Sequence, residues 1–451
     1  MNSKKAFPVH FGHILGLTAV LYIPIGVLVS KGLAPLFVSG AVFCLVLGLW
    51  RNRTFPWIPG PVAYAFLALV GWALASWFWS FTPDETLKTG LSLVGTFLGG
   101  AVLIAVGSTL EPGEKRVFQN GMILGSMIGF PIIAFEFATN AWLTRSMYEL
   151  LHRGIFQVYG DYTAVLNSGM AAVTLFFWPW ALIVKERFSP MVSVPVILTG
   201  AGLISLTFAD AILFGLAVAA VVFFVSLAWP RWGTWGLGAA VAIGVLAAPM
   251  VPGLLPNPLE SGKDLSWLSP SSAHRILIWK NTVKHIKQKP VLGGGFDTTR
   301  GLYGVKDRIE YKFPKEISGQ AYQVQYEPIP LHPHNAVLQV WLELGAVGAL
   351  IGLGLLLVIL RAIDRILSRR IHRAASLGMF TATLVLASIS FGIWQGWWLG
   401  SIMLSSAFLV SALGPFGKEA SGPPVKEIGG PKGLEPTRYG DWERKGRAVD
   451  F

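Results

Sequence analysis

Cysteine is nearly absent from this chain: Cys44 is the only one in 451 residues. A disulfide framework and a cysteine-based metal site are therefore excluded, and the thiol sits inside an apolar run where it reads as a buried, inert group. Charge is scarce too, at 13% of residues, and there are only eight histidines. No DxD, GxxxxGK[ST] or GxSxG pattern occurs. That argues against nucleotide-sugar, NTPase and serine-hydrolase chemistry. What fills the chain instead is apolar: 53% of residues are hydrophobic and the mean hydropathy is +0.57.

The apolar residues fall in blocks long enough to cross a hydrocarbon core. A spanning block must satisfy its own backbone hydrogen bonds, so each reads as a helix. Twelve are expected, near 11–30, 33–50, 61–80, 87–109, 117–139, 164–184, 191–209, 211–229, 233–251, 336–360, 374–392 and 395–413. The fold class is thus an all-α integral membrane protein, with a membrane domain over 1–413. Arg51 and Arg53, Lys115 and Arg116, Lys185 and Arg187, Arg231, and the run from Arg361 to Arg373 all fall on one side of this topology. The positive-inside rule makes that side cytoplasmic and puts both termini there. These loops also account for the net charge of +12, so nucleic acid is not an expected partner.

The other side carries one long loop, roughly 252–335, between the ninth and tenth spans. It holds eleven Lys and Arg against seven Asp and Glu. Long loops largely escape the charge rule, so the excess points to an anionic ligand. Within it, Ile276, Trp279, Val283 and Ile286 recur at helical spacing with Lys280, Lys284 and Lys287 between them. This predicts an amphipathic helix capped by Ser271 or Ser272, with lysines placed to meet membrane lipid phosphates. Arg275 lies in its first turn, where bidentate phosphate contacts are favoured. Gly293-Gly294-Gly295 follows, either a plain turn or an anion-binding nest.

The loop ends at His332-Pro333-His334-Asn335. Asn335 is a good cap for the next helix, whose positive end favours neutral imidazole nearby. Asn335, Gln339 and Glu343 are spaced by four and form one polar stripe in an apolar helix, which should face the bundle interior. Three readings of the histidines remain open: a metal site, which lacks a third ligand; a structural pair; or a base beside a basic anion pocket.

These residues together resemble the O-antigen ligase and polysaccharide polymerase family of membrane enzymes. The resemblance covers about 60–413 and is carried by Arg275 with Trp279, Pro290 to Gly295, and His332-Pro333-His334-Asn335 running into Gln339 and Glu343-Leu344-Gly345. Trp79-Ser80 with Pro83, and Arg153-Gly154, are weaker features. Membership implies a GT-C-like glycosyltransferase of the bacterial inner membrane, working on the periplasmic face without metal or cofactor. It implies transfer of a glycan from undecaprenyl pyrophosphate to lipid A–core, or, in related branches, repeat-unit polymerisation or protein O-glycosylation. His334 is then the base for the acceptor hydroxyl, with His332 assisting, and Arg275 and Asn335 belong to the pyrophosphate site. Many members carry a Ser-Arg pair where Thr207-Phe208-Ala209-Asp210 stands here. A second phosphate-binding arginine must come from elsewhere, with Arg153 and Arg300 as candidates. A transporter or flippase of lipid-linked glycan is the competing class, disfavoured because few charges besides Glu136 and Glu343 lie within the spans.

Beyond Leu413 the apolar period stops and Gly, Pro, Lys and Glu take over, which reads as a disordered cytoplasmic tail over 414–451. Its end, from Pro436-Thr437-Arg438-Tyr439-Gly440-Asp441-Trp442-Glu443 to Asp450-Phe451, resembles the short succinate dehydrogenase assembly factor over about 424–451. That resemblance implies the flavoprotein subunit as a partner.

Overall fold

The computed structural model describes residues 9–51, 60–150, 162–207, 209–258, 270–302, 309–317, 320–326, 330–414, 442–443 and 448–449. It divides into two units, 1–415 and 416–451. In the second, Trp442–Glu443 pairs antiparallel with Ala448–Val449.

The first unit is a helical membrane bundle. Its helices are α1 (Phe11–Leu28), α2 (Leu33–Trp50), α3 (Gly60–Ala75), α4 (Pro83–Ser108), α5 (Pro112–Ala138), α6 (Trp142–Leu150), α7 (Asn167–Arg187) and α8 (Pro190–Ile204). They continue with α9 (Asp210–Ala228), α10 (Pro230–Ala247), α11 (Val251–Leu254), α12 (Pro270–Gln288), α13 (Ala336–Ile366), α14 (Arg370–Ile389) and α15 (Gly396–Leu413). Each of the twelve expected spans falls on a helix. Among the described residues, nine helical segments are long and apolar enough to cross a membrane. α8 has 15 residues, and α10 and α14 fall outside that set, because α10 and α14 carry too many polar and small residues.

α7 is the central post, with 83% of its apolar window buried. α1 lies tightly along α5, where a Cβ on Gly121 would come within 2.5 Å of the Gly16 backbone. Small residues facing each other let helices associate where lipid offers no hydrophobic drive. Tyr22 of α1 extends across this core to Ser405 of α15 at 2.9 Å and to the Ala172 carbonyl of α7 at 3.2 Å.

The helix ends sort into two groups. At one end Glu186 of α7 meets Arg369 at 3.1 Å and His372 at 2.6 Å, so the basic turns gather there. At the opposite end the turns after α3 and α14 meet the long connection before α13. That connection contains α12 and a hairpin of β1 (Ile309–Ile317) and β2 (Gln320–Tyr326), which pair antiparallel with an irregularity between Lys312 and Glu316. The hairpin is an addition to the expected architecture. α12 also begins two or three residues earlier than a cap at Ser271 or Ser272 predicts: Pro270 is its first residue, the position where a missing N–H costs nothing, and Ser271 and Ser272 lie in the first turn.

The largest departure concerns α13. The expected straight span is broken at Gly345, whose φ of 65° and ψ of −166° are open only to glycine. The Pro290–Gly295 segment inserts into the break. Gly294 and Gly295 N–H donate to the Leu342 and Glu343 carbonyls, both at 2.9 Å, and Ala346 N–H donates to the Pro290 carbonyl at 2.8 Å. The backbone groups orphaned by the kink are thus satisfied by a second chain segment, as burial in a membrane bundle requires.

Candidate active site at the broken helix

The apolar face of α12 packs on α13 and α10: Val283 and Ile286 join Ala248, Leu338 and Leu342 in one buried cluster. Trp279 fixes the pairing by donating its indole N–H to the Pro333 carbonyl at 2.9 Å. The helix is therefore part of the bundle's cap, with Lys284 and Lys287 on its exposed side. This docking brings Arg275 within electrostatic reach of His334.

The two histidines lie just ahead of α13. Asn335 caps that helix, its Oδ1 accepting from Leu338 N–H at 2.9 Å. His334 adopts a left-handed backbone, φ 52°. Its Nδ1 lies 2.7 Å from the Ser390 carbonyl. A carbonyl only accepts, so Nδ1 carries the proton and Nε2 of the neutral ring keeps its lone pair. His332 has the opposite tautomer: its Nδ1 accepts from the His334 N–H at 3.3 Å, which leaves Nε2 as a donor. The rings stand edge to face, 4.3 Å apart. His334 thus presents an acceptor nitrogen at Nε2 and His332 an N–H donor at Nε2.

Both imidazoles are held neutral. Burial pushes His332 from 6.5 down to about 3, helped by His334 and Arg300. Burial also lowers His334, opposed by the Ser390 carbonyl and reinforced by Arg275 and His274. Arg275 is itself lowered by burial, and Asp210 at the start of α9 counteracts this. Asp210, in the segment where the resemblance leads one to expect a second arginine, is thus within electrostatic reach of Arg275.

Arg300 occupies the other flank, within electrostatic reach of His332. Its Nε sits 3.1 Å and 2.9 Å from the two carboxylate oxygens of Asp297. Asp297 is 2% exposed, adopts φ 55°, and accepts from the Thr89 hydroxyl at 2.7 Å. Burial pushes its carboxyl up, against the lowering by Thr89 and Arg300. The structure thus brings together His332, His334, Arg275, Arg300 and Asn335. Arg153 lies outside the described residues.

The glycine run is a structural splice rather than a nest: the N–H groups of Gly293, Gly294 and Gly295 are spent on Lys289, Leu342 and Glu343 carbonyls. Trp79 and Ser80 clamp it. Trp79 donates to the Leu292 carbonyl at 3.2 Å, Phe81 N–H donates to the Gly294 carbonyl at 3.0 Å, and a Cβ on Gly295 would strike Ser80 at 2.4 Å.

The polar stripe faces inward as expected, with Gln339 and Glu343 buried. Sequence reasoning did not foresee its partners on the α14–α15 turn. Ile393 N–H donates to Gln339 at 3.1 Å and the Trp394 indole donates to Glu343 at 2.6 Å. Nothing in the local sequence of that turn marks Ser390 or Trp394 as part of a site.

Below Asn335 and Trp279 an apolar groove of about 620 Å³ runs between α9, α10, α13 and α14. Val218, Leu384 and Trp232 line it, the last at the far end of α10. Asn335 and Trp279 line this groove, so its upper end adjoins the histidine pair at 332 and 334.

Residues 194–353 match the O-antigen ligase family. That stretch contains Arg275, Arg300, both histidines and the break at Gly345. Over this stretch the membrane unit is similar to the O-antigen ligase family. A "Putative polysaccharide ligase" of Rickettsia felis is 26% identical over 341 residues, covering 74% of this chain and 76% of the relative. A protein of the same name from Rickettsia conorii is 25% identical over 413 residues, 86% and 92% of the two chains. These similarities support an O-antigen ligase-type, glycosyltransferase-like protein at family level, and the apolar helices support a multi-pass membrane protein. Residues 415–451 match a separate family, described as a protein of unknown function (DUF1674). A Rickettsia felis protein named UPF0369 is 72% identical over 29 residues, 37% of its length. Those names state no partner, so the flavoprotein subunit rests on the tail's resemblance alone.

Proposed function

We propose that the chain transfers a glycan from undecaprenyl pyrophosphate to lipid A–core at the periplasmic face of a bacterial inner membrane, with both termini cytoplasmic. The observation that carries this is His334: its Nδ1 is tied to the Ser390 carbonyl and its Nε2 is left to accept. It stands beside Arg275 at the head of the apolar groove.

In this reading the groove takes the polyisoprenoid tail and places the pyrophosphate between Arg275 and Arg300. The acceptor hydroxyl gives its proton to His334 Nε2 as its oxygen attacks the anomeric carbon. The bond from that carbon to the pyrophosphate oxygen breaks, and the leaving electron pair settles on a pyrophosphate that the two guanidiniums stabilise. His332 Nε2–H is available to a substrate oxygen. The anion also offsets the charge of Arg275, so donor binding raises the proton affinity of His334 when a base is needed. No step requires a metal or cofactor. A repeat-unit polymerase or protein O-oligosaccharyltransferase would use the same chemistry with another acceptor.

The direct test is a null strain. Accumulation of lipid-linked polymer supports the ligase, whereas lipid-linked single repeat units identify a polymerase. A pH profile gives a second check. The neutral imidazole is the competent form and burial lowers its pKa, so activity persists as pH falls past the ordinary imidazole value. The acid limb of kcat/KM is expected below 6.5. In the donor complex the offset charge of Arg275 moves the kcat limb upward from there. An acid limb of kcat/KM at or above 6.5 contradicts the assignment.

A further inference from the structure

Glu343 is the most completely buried carboxylate near the site, and no step above uses it. It is 0% exposed and takes four donors. Asp297 N–H lies 3.0 Å away, Gln339 Nε2 3.0 Å and Trp394 Nε1 2.6 Å, and the Thr299 hydroxyl is the fourth. These donors belong to three different parts of the chain. Asp297 and Thr299 frame the loop that presents Arg300, Gln339 is one turn up α13, and Trp394 lies on the α14–α15 turn. That same turn supplies the Ser390 carbonyl to His334 and packs Gly392 against His332, where a Cβ would come within 2.9 Å of the ring.

We propose that Glu343 is the positioning residue that locks the arginine loop and the histidine-orienting turn into one register, setting Arg300 against the pyrophosphate of the donor. This rests on the glycan-transfer reading above. The physical basis is that all four partners donate, so only a side chain accepting at both oxygens satisfies them. Glutamine at 343 would turn an amide N–H₂ onto two donors, and the loop would release one of its anchors. Asp297 depends on this anchor through its backbone, and Arg300 depends on Asp297 through its guanidinium.

The test is a double-mutant cycle on full-length protein in nanodiscs, reading the Kd for undecaprenyl pyrophosphate. Glu343→Gln and Arg300→Ala are each expected to weaken binding about tenfold, and the double variant to bind no more weakly than Arg300→Ala alone. Thr299→Val removes one donor while keeping its shape, and is expected to act in the same direction by a smaller factor, so the idea stays testable should Glu343→Gln fold poorly. Multiplying effects in the double variant, or unchanged binding in either Glu343→Gln or Thr299→Val, would overturn the proposal. If the unaltered chain fails to bind undecaprenyl pyrophosphate, the functional reading falls and this role falls with it. Binding by the unaltered chain together with uncoupled variants removes only the role of Glu343.

Discussion

Replacing His334 with asparagine lowers glycan transfer by about 10²–10⁴-fold, the usual contribution of a positioned general base. Asparagine is the informative choice. His334 sits at φ 52°, a backbone region that asparagine tolerates better than most residues. The turn into α13 can therefore keep its shape, and Asn335 keeps its cap on Leu338 N–H. What asparagine cannot supply is a ring nitrogen that accepts a proton while its partner nitrogen is held by Ser390. Donor binding should change little, because Arg275 and Arg300 are untouched. The loss then appears in kcat rather than in KM for the donor. His332→Ala is expected to cost less, since its Nδ1 is occupied and only a hydrogen-bond donor is removed. Equal transfer by His334→Asn and the unaltered chain would exclude the base.

Gly345→Ala carries the second large effect, this time on stability. A Cβ there would come within 2.2 Å of the Val291 carbonyl oxygen and 2.6 Å of Gly293 N. The backbone conformation is also closed to alanine, which adds about 1–3 kcal/mol of strain. Overpacking adds about 1–3 kcal/mol more. A total on the order of 3 kcal/mol is a large fraction of the stability of most folds. The damage should centre on the spliced segment, since Gly294 and Gly295 give up their bonds to Leu342 and Glu343 when Pro290–Gly295 is pushed out. Gly352 of the same helix is the control: a Cβ there meets nothing within 4 Å. Gly352→Ala should match or exceed the native melting temperature in detergent, whereas Gly345→Ala melts well below it. Matching melting curves for the two variants would show that the splice bears no load.

The bundle was largely legible because spanning helices announce themselves by length and apolarity, and because basic turns alternate with the topology. Asn335 and the stripe from Gln339 to Glu343 were legible for a similar reason: polar residues at helical spacing in an apolar run have few places to go. The break in α13 was not. Glycine is common in membrane helices, and what makes Gly345 a kink is the backbone of Val291 and Gly293, about fifty residues earlier. The glycine run was ambiguous on its own for the same reason, since only the missing partner in α13 shows where its N–H groups go. Arg300 stood as one of two candidates, with Arg153, because its orientation depends on Asp297 and Thr89, which lie on separate elements. Ser390 acts through a backbone carbonyl, to which sequence is blind.

The most direct measurement of glycan transfer uses the purified full-length chain in nanodiscs, supplied with undecaprenyl pyrophosphate-linked glycan and lipid A–core. Glycan-bearing lipid A–core should form with release of undecaprenyl pyrophosphate, in amounts that collapse in His334→Asn. Movement of the lipid-linked glycan across the bilayer with no new glycosidic bond would contradict the proposed transfer.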